Sequence, residues 1–260
     1  MSSNQALNGI GVLVTRPVEQ AANLVAQLKK LGASPILFPA LEILPAANPS
    51  ALHATLSRID QFDFHLFVSP TAARYGLAAA LSSAAPGQIE RLHAAAVGQG
   101  TAAVLHAAGC QNVLAPETGA DSEHLLALPE FTDLTGKRVL IFRGEGGREL
   151  IADTLRARGA EVEYASCYRR ACPHVDASPL LHALAQHQVQ AITLFSAETL
   201  DNLLHLLGHA GAEAARVVPV FAPHERIARQ ALAQKFSQVI TTKAGEDGLL
   251  SGLVEYFGHD

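Results

Sequence analysis

Short apolar runs of strand length alternate with amphipathic stretches of helical period along almost the whole chain. In the first half the runs lie near residues 11–15, 35–39, 64–68, 94–97 and 112–115; in the second they lie near 138–142, 161–168, 190–195, 217–221 and 238–241. Such alternation predicts an α/β chain of parallel sheets with helices on both faces. Two segments break the rhythm. FPALEILP (38–45) and VEYASCYRRACP (162–173) run past ordinary strand length and end at prolines, which marks them as paired connectors. If the chain leaves one domain through the first and returns through the second, a discontinuous domain (1–39 plus 173–260) carries an inserted one (40–172). Linkers then lie at about 38–45 and 166–173, and each domain holds five strands in a doubly wound order. Two sequential domains split near residue 135 fit the pattern equally well.

The halves are also related in sequence. VLVTRPVEQAANLVAQLKKLGA (12–33) and VLIFRGEGGRELIADTLRARGA (139–160) share Val12, Leu13, Arg16, Leu28, Gly32 and Ala33 at a constant offset of 127, and the same offset takes Ser69 to Ser196. With a shift of one, Gly119 pairs with Gly245 and Asp121 with Asp247. An old duplication is the economical explanation.

Composition narrows the function. A chain of 260 residues, 49% hydrophobic, is built for packed cores, and a net charge of −5 argues against a general nucleic-acid binder. No apolar run approaches the ~20 residues that span a bilayer, and the first ten residues lack the features of a signal peptide. The expectation is a cytoplasmic protein with no membrane partner. Cys110, Cys167 and Cys172 form no CxxC pair and read as reduced, mostly buried thiols. His205 and His209 have the spacing of two metal ligands on one helix face but no acidic third ligand, so a solvated face is expected and no metal.

In open parallel sheets, ligands bind where strands end and helices begin. Those places read Thr15-Arg16-Pro17, Ser69-Pro70-Thr71, Gly98-Gln99-Gly100-Thr101, Arg143-Gly144-Glu145-Gly146-Gly147, Ser196-Ala197-Glu198-Thr199 and Ala222-Pro223-His224-Glu225. Ser69, Thr101 and Ser196 suit helix caps, and RVLIFRGEGGRELI (138–151) reads as a strand turning through glycine into a helix that receives an anion. Many anion-binding turns with few basic residues suit a ligand carrying several carboxylates. A dinucleotide is disfavoured, since Gly144-Glu145-Gly146-Gly147 lacks the third glycine spacing and puts a carboxylate in the turn; no GK[ST] and no GxSxG occurs.

TRP (15–17), the strand ending at Ser69, AVGQGTAAVL (96–105), VLIFRGEGGREL (139–150), GAEVEYASCYRR (159–170) and LFSAETLDNL (194–203) together resemble uroporphyrinogen-III synthase, over nearly the whole chain. The resemblance implies two flavodoxin-like doubly wound domains joined by a two-stranded linker, which favours the there-and-back chain path. It implies a cyclising lyase, without cofactor or metal, that closes the linear tetrapyrrole hydroxymethylbilane into uroporphyrinogen III. Water is eliminated and ring D is inverted through a spiro intermediate. That substrate carries eight carboxylates, which helix N-termini can receive without burying many lysines. The family's linker tyrosine falls on Tyr168, in the general-acid role; a phenol titrating near ~10 offers a proton at neutral pH. Thr15, Arg16, Ser69, Gly98, Thr101, Arg143, Gly144, Ser196 and His224 are the expected substrate-binding residues. The family's GPTTA-like turn is replaced here by Ala222-Pro223-His224-Glu225-Arg226, where Glu225 opposes a carboxylate and His224 or Arg226 compensates. The expected state is a monomer that takes its substrate in a transient handover from hydroxymethylbilane synthase. The competing readings are a non-catalytic clamp for a polyanion and a nucleotide-dependent transferase using the Arg143 turn.

Overall fold

The computed structural model describes residues 5–82, 87–119, 121–147 and 149–258. Its elements run β1 (Gly11–Val14), α1 (Val18–Lys30), β2 (Ser34–Leu37), β3 (Glu42–Pro45), α2 (Pro49–Leu56), β4 (Phe64–Phe67), α3 (Pro70–Leu81), β5 (Ala94–Ala96), α4 (Gln99–Ala107) and β6 (Val113–Leu114). They continue α5 (Ser122–Leu126), β7 (Arg138–Gly144), α6 (Leu150–Ala157), β8 (Glu161–Ala171), α7 (Ser178–Ala185), β9 (Ala191–Thr193), α8 (Ala197–Arg216), β10 (Val220–Ala222), α9 (Glu225–Ala233), β11 (Val239–Thr241) and α10 (Gly245–Phe257).

The chain divides into two compact units, Met1–Glu42 with Ala171–Asp260, and Ile43–Arg170. The sequence places the cuts at 39/40 and 172/173; the structure places them at 42/43 and 170/171, because the outgoing and returning segments are themselves strands, β3 and the end of β8. A cut near 135 would separate β7 from β4, to which it is paired in parallel.

The first unit has one five-stranded sheet in the order β11-β10-β9-β1-β2, with parallel pairing throughout. Counted along that unit's own chain this is the flavodoxin-like order 2-1-3-4-5. The inserted unit orders its strands β3-β8-β7-β4-β5-β6. It holds six strands instead of five, since β3 adds to the edge beside β8. Without β3 the order is the same with its first two strands supplied last, a circular permutation, so that β1 corresponds to β7, β2 to β8 and β9 to β4. The offset of 127 in the sequence is this correspondence.

Each sheet is apolar on both faces. Along β7, Val139 and Ile141 enter one core with Leu66 and Phe131, while Leu140 and Phe142 enter another with Phe67 and Leu105. Leu13 on β1 faces Ile192 and Leu200, and Val12 and Val14 face Leu24, Leu28 and Phe221. Burial of one such side chain contributes about 1.5–3 kcal/mol, which is why these strands are continuously apolar. Phe67 and Phe142 stack with centroids 4.2 Å apart.

The repeated residues also stop the helices alike. After α1, Ala33 N–H donates to Leu28 O (3.0 Å) with Gly32 at φ +86; after α6, Ala160 N–H donates to Leu155 O (3.1 Å) with Gly159 at φ +93. These are matching Schellman ends, in which glycine takes the left-handed position. Helix α8 is broken at Gly208, which puts the exposed His205 and His209 on either side of a kink. Cys110 and Cys167 are buried and Cys172 half-buried, all free thiols. Among the described residues no helix is long and apolar enough to cross a membrane, and no group of three metal-binding side chains occurs.

A buried histidine lies in the inserted sheet. His65 on β4 engages Ile59 O through Nε2 (3.0 Å), while its Nδ1 has no partner among the described residues. Burial lowers its pKa from the ordinary 6.5. As pH falls through 6.5 the unfolded chain therefore takes up a proton that the fold refuses, and stability is lost. Denaturant unfolding between pH 7.5 and 5.5 will show a shallower pH dependence in His65→Gln than in the parent; equal slopes would place the proton-linked loss elsewhere.

Candidate functional site

The strand registers bring the expected residues to common levels. In the inserted unit Phe67, Phe142 and Ala96 lie side by side on β4, β7 and β5, so Ser69, Gly144 and Gly98, each two residues later, reach the carboxyl end of the sheet at one level. In the first unit Val14, Thr193 and Phe221 are aligned, and Arg16, Ser196 and His224 follow within three residues. The pairs β1/β9 and β7/β4 are where strand order reverses, the position at which such sheets bind ligands.

Ser69 accepts the Ala72 N–H (3.1 Å) and caps α3; Ser196 accepts the Thr199 N–H (3.0 Å) and caps α8. The duplicated serines therefore do the same local work. Gly98 opens α4 in extended backbone without a side-chain cap, and Thr101 is buried in that helix's first turn. Neither α3 nor α4 carries an acidic residue in its first turn, whereas α8 and α9 carry Glu198 and Glu225. The positive end of the helix dipole is thus least opposed at α3 and α4. His224 is exposed at the start of α9 with no side-chain cap bond, beside exposed Glu225 and Arg226.

Three expectations change. Thr15 is fully buried, and its hydroxyl donates to Thr193 O (2.7 Å), so it laces β1 to β9 instead of facing a ligand. Helix α6 starts only at Leu150, and the glycine turn before it closes on Arg143 instead of presenting amides to an anion. The guanidinium donates to Gly146 O, to Gly144 O (3.3 Å) and to Glu149 (2.8 Å), and lies 4.7 Å from the Tyr164 ring centroid. Arg148 of that turn lies outside the described residues. Finally, Glu145 leaves the turn to accept the Ala47 N–H (2.7 Å), pinning the end of the outgoing linker.

Tyr168 owes its position to a β-bulge. Arg143 is opposite Ser166 on β8, but Gly144 is opposite Tyr168, leaving Cys167 as the extra residue. Consecutive Cys167 and Tyr168 then enter the same core, with Phe67 and Phe142; strict alternation would send Tyr168 to the other face with Tyr164. A Cβ on Gly144 would stand 2.7 Å from the ring of Tyr168, so only glycine leaves room. Tyr75 packs against the ring at 5.7 Å and donates its hydroxyl to Ile43 O (3.2 Å). Among the described residues nothing hydrogen-bonds the Tyr168 hydroxyl. It lines a cavity of about 150 Å³ with Arg143, Gly144, Gly147, Tyr164 and Arg170. Burial pushes the Cys167 thiol up to about 12, which removes it as a nucleophile.

Sequence reasoning misses Tyr164 and Glu149. The Tyr164 hydroxyl donates to the Glu149 carboxylate, whose other oxygen receives Arg143. Burial and then Glu149 raise the Tyr164 pKa, while the Tyr164 bond and then Arg143 lower that of Glu149, so the carboxylate stays ionised. In the first unit Arg16 is arranged similarly. Its guanidinium pairs with Glu246, lies 4.3 Å from the Phe195 centroid and reaches Gln20 at 3.3 Å. Burial lowers the Arg16 pKa and Glu246 raises it.

Comparison with known proteins agrees with the sequence. Residues 22–251 match the family model described as uroporphyrinogen-III synthase HemD. The uroporphyrinogen-III synthase of Escherichia coli is 36% identical over 206 residues, covering 76% of this chain and 80% of that protein; the one from Synechococcus elongatus is 34% identical over 214 residues, covering 79% and 77%. The solved uroporphyrinogen-III synthetase of Helicobacter pylori matches 95% of this chain and 99% of its own at a TM-score of 0.62 and 14% identity, which bears on the fold alone.

The tight approach of Gly144 to Tyr168 is directly testable. Overpacking at this point predicts that Gly144→Ala lowers unfolding free energy by about 1–3 kcal/mol. Urea unfolding followed by tyrosine emission measures it, since the chain has four Tyr and no Trp. Unchanged stability would mean that the ring is not held against Gly144.

Proposed function

The chain belongs to the uroporphyrinogen-III synthase family, and from that membership we propose how its own residues carry the reaction. Its activity is that of a cyclising lyase in tetrapyrrole biosynthesis, acting on hydroxymethylbilane. Carboxylates of the substrate bind at the strand ends: at the first turns of α3 and α4, at Ser69, Gly98, Thr101, Arg143 and Gly144, and in the first unit at Arg16, Ser196 and His224. Main-chain N–H groups at a helix start have no acceptor within the helix, and they receive a carboxylate without the cost of desolvating an ammonium.

Tyr168 is the general acid. The observation that carries this reading is the bulge, which turns one phenol out of strand alternation and leaves its hydroxyl, without a hydrogen-bond partner among the described residues, beside Arg143 and Gly144. The substrate's C–O bond breaks as the phenol proton moves to the leaving hydroxyl, which departs as water. The azafulvene cation is then attacked by the substituted carbon of ring D, giving a spiro intermediate. The bond from that carbon to the methylene of ring C breaks, and this methylene rejoins ring D at its unsubstituted α carbon, which carries the proton to be lost. Loss of a ring proton at the close of the rearrangement restores the phenol. Free thiols are consistent with a cytoplasmic setting. We place the enzyme there as a monomer that receives its substrate in transient encounters with hydroxymethylbilane synthase.

Because the cation forms readily, Tyr168→Phe will still make isomer III, with kcat lower by on the order of 10²-fold and KM little changed. Freshly made hydroxymethylbilane, oxidation of the products and separation of isomers I and III measure this. An unchanged kcat would remove Tyr168 from the proton transfer.

A further inference from the structure

Both duplicated arginines stand at a switch point with a carboxylate of their own chain already in place. Arg16 is paired with Glu246 at the start of α10, and the other oxygen of Glu246 accepts from Asn23 (2.5 Å). Arg143 is paired with Glu149 just before α6, and the other oxygen of Glu149 accepts from Tyr164. Each guanidinium also lies over an aromatic ring, Phe195 or Tyr164.

The arginines correspond through the duplication, but the carboxylates do not. The offset of 127 takes Glu149 back to Ala22, and Glu246 comes from a different helix. The two units thus reach one arrangement by separate routes. What they share is a cation largely withdrawn from water at the ligand end of a sheet, Arg143 buried and Arg16 half-buried, which needs a counter-charge whenever no ligand supplies one. The pairing is not fully satisfying: among the described residues no acceptor reaches the buried Nε of Arg16. The Glu149 side chain is half exposed, so it can swing into water when displaced.

We propose that Glu149 and Glu246 are resident counter-carboxylates, which hold Arg143 and Arg16 while the enzyme is empty and are exchanged for substrate carboxylates on binding. The proposal rests on the assignment of the two arginines to substrate binding. Binding is then a swap of one carboxylate for another, so its free energy is the difference between the two pairs. A ligand with too few carboxylates leaves the resident glutamates in place, which makes these residues determinants of specificity for a polyacid.

Glu→Gln keeps the shape and removes the competing charge. Glu149→Gln and Glu246→Gln should each lower KM for hydroxymethylbilane by about threefold to tenfold, and should tighten uroporphyrinogen III by the same factor in anaerobic titration calorimetry. Glu213→Gln, which removes the same charge from the exposed pair with Arg216, is the control and should not move either value. Unchanged or weaker affinity in the first two variants, or equal tightening in the control, overturns the proposal. Arg16→Leu separates the two assignments. A raised KM there with an unchanged KM in Glu246→Gln overturns the counter-carboxylate alone, whereas an unchanged KM in Arg16→Leu overturns the binding role of the arginine itself.

Discussion

Burial of both faces of both sheets is the constraint from which the rest follows. A strand covered on one side can offer alternate side chains to a ligand; here the residues of β1, β4, β7 and β9 are committed to cores above and below. Chemistry is left to the places where strands stop. There the chain supplies what the geometry already makes available: helix starts, short caps and the occasional arginine. Aligned strand ends make these features converge, and at a switch point the connections diverge to either side and leave the ends open.

Within that frame, one irregularity aims the phenol proposed as the acid. A regular β8 would spend Tyr168 on the same face as Tyr164, and the bulge at Cys167 turns it over. Gly144 makes the turn affordable in space, and Tyr75 closes the far side of the ring. The strand carries the returning linker, the bulge and the phenol together. Local deviation from regular pairing at a site is common in sheets, where an extra residue re-aims a side chain at modest cost.

Much of this is legible in the sequence, for identifiable reasons. Strand positions can be read because doubly buried strands are continuously apolar; the long segments 38–45 and 162–173 mark the connectors, but the there-and-back path is chosen over a sequential split only by the family resemblance. The duplication shows which turns correspond, and Ser69 and Ser196 cap their helices as their composition suggests. The features that escape are those decided by side-chain geometry. Thr15 has the right position but points along the sheet to Thr193 O. The Arg143 turn has the glycines of an anion site, yet the arginine folds back over its own carbonyls. A bulge has no composition of its own, and the pairing of Tyr164 with Glu149 joins residues fifteen apart that no period relates. The permuted strand order of the inserted unit also depends on pairing and not on pattern.

The central claim is that main-chain amides at the ligand ends of the sheets receive the substrate's carboxylates. Amide hydrogen exchange, read residue by residue with and without uroporphyrinogen III under anaerobic conditions, tests it most directly. The account predicts slowed exchange in the first turns of α3, α4 and α8. No slowing there, or slowing centred on the opposite strand ends around Asp63 and Lys137, would contradict it.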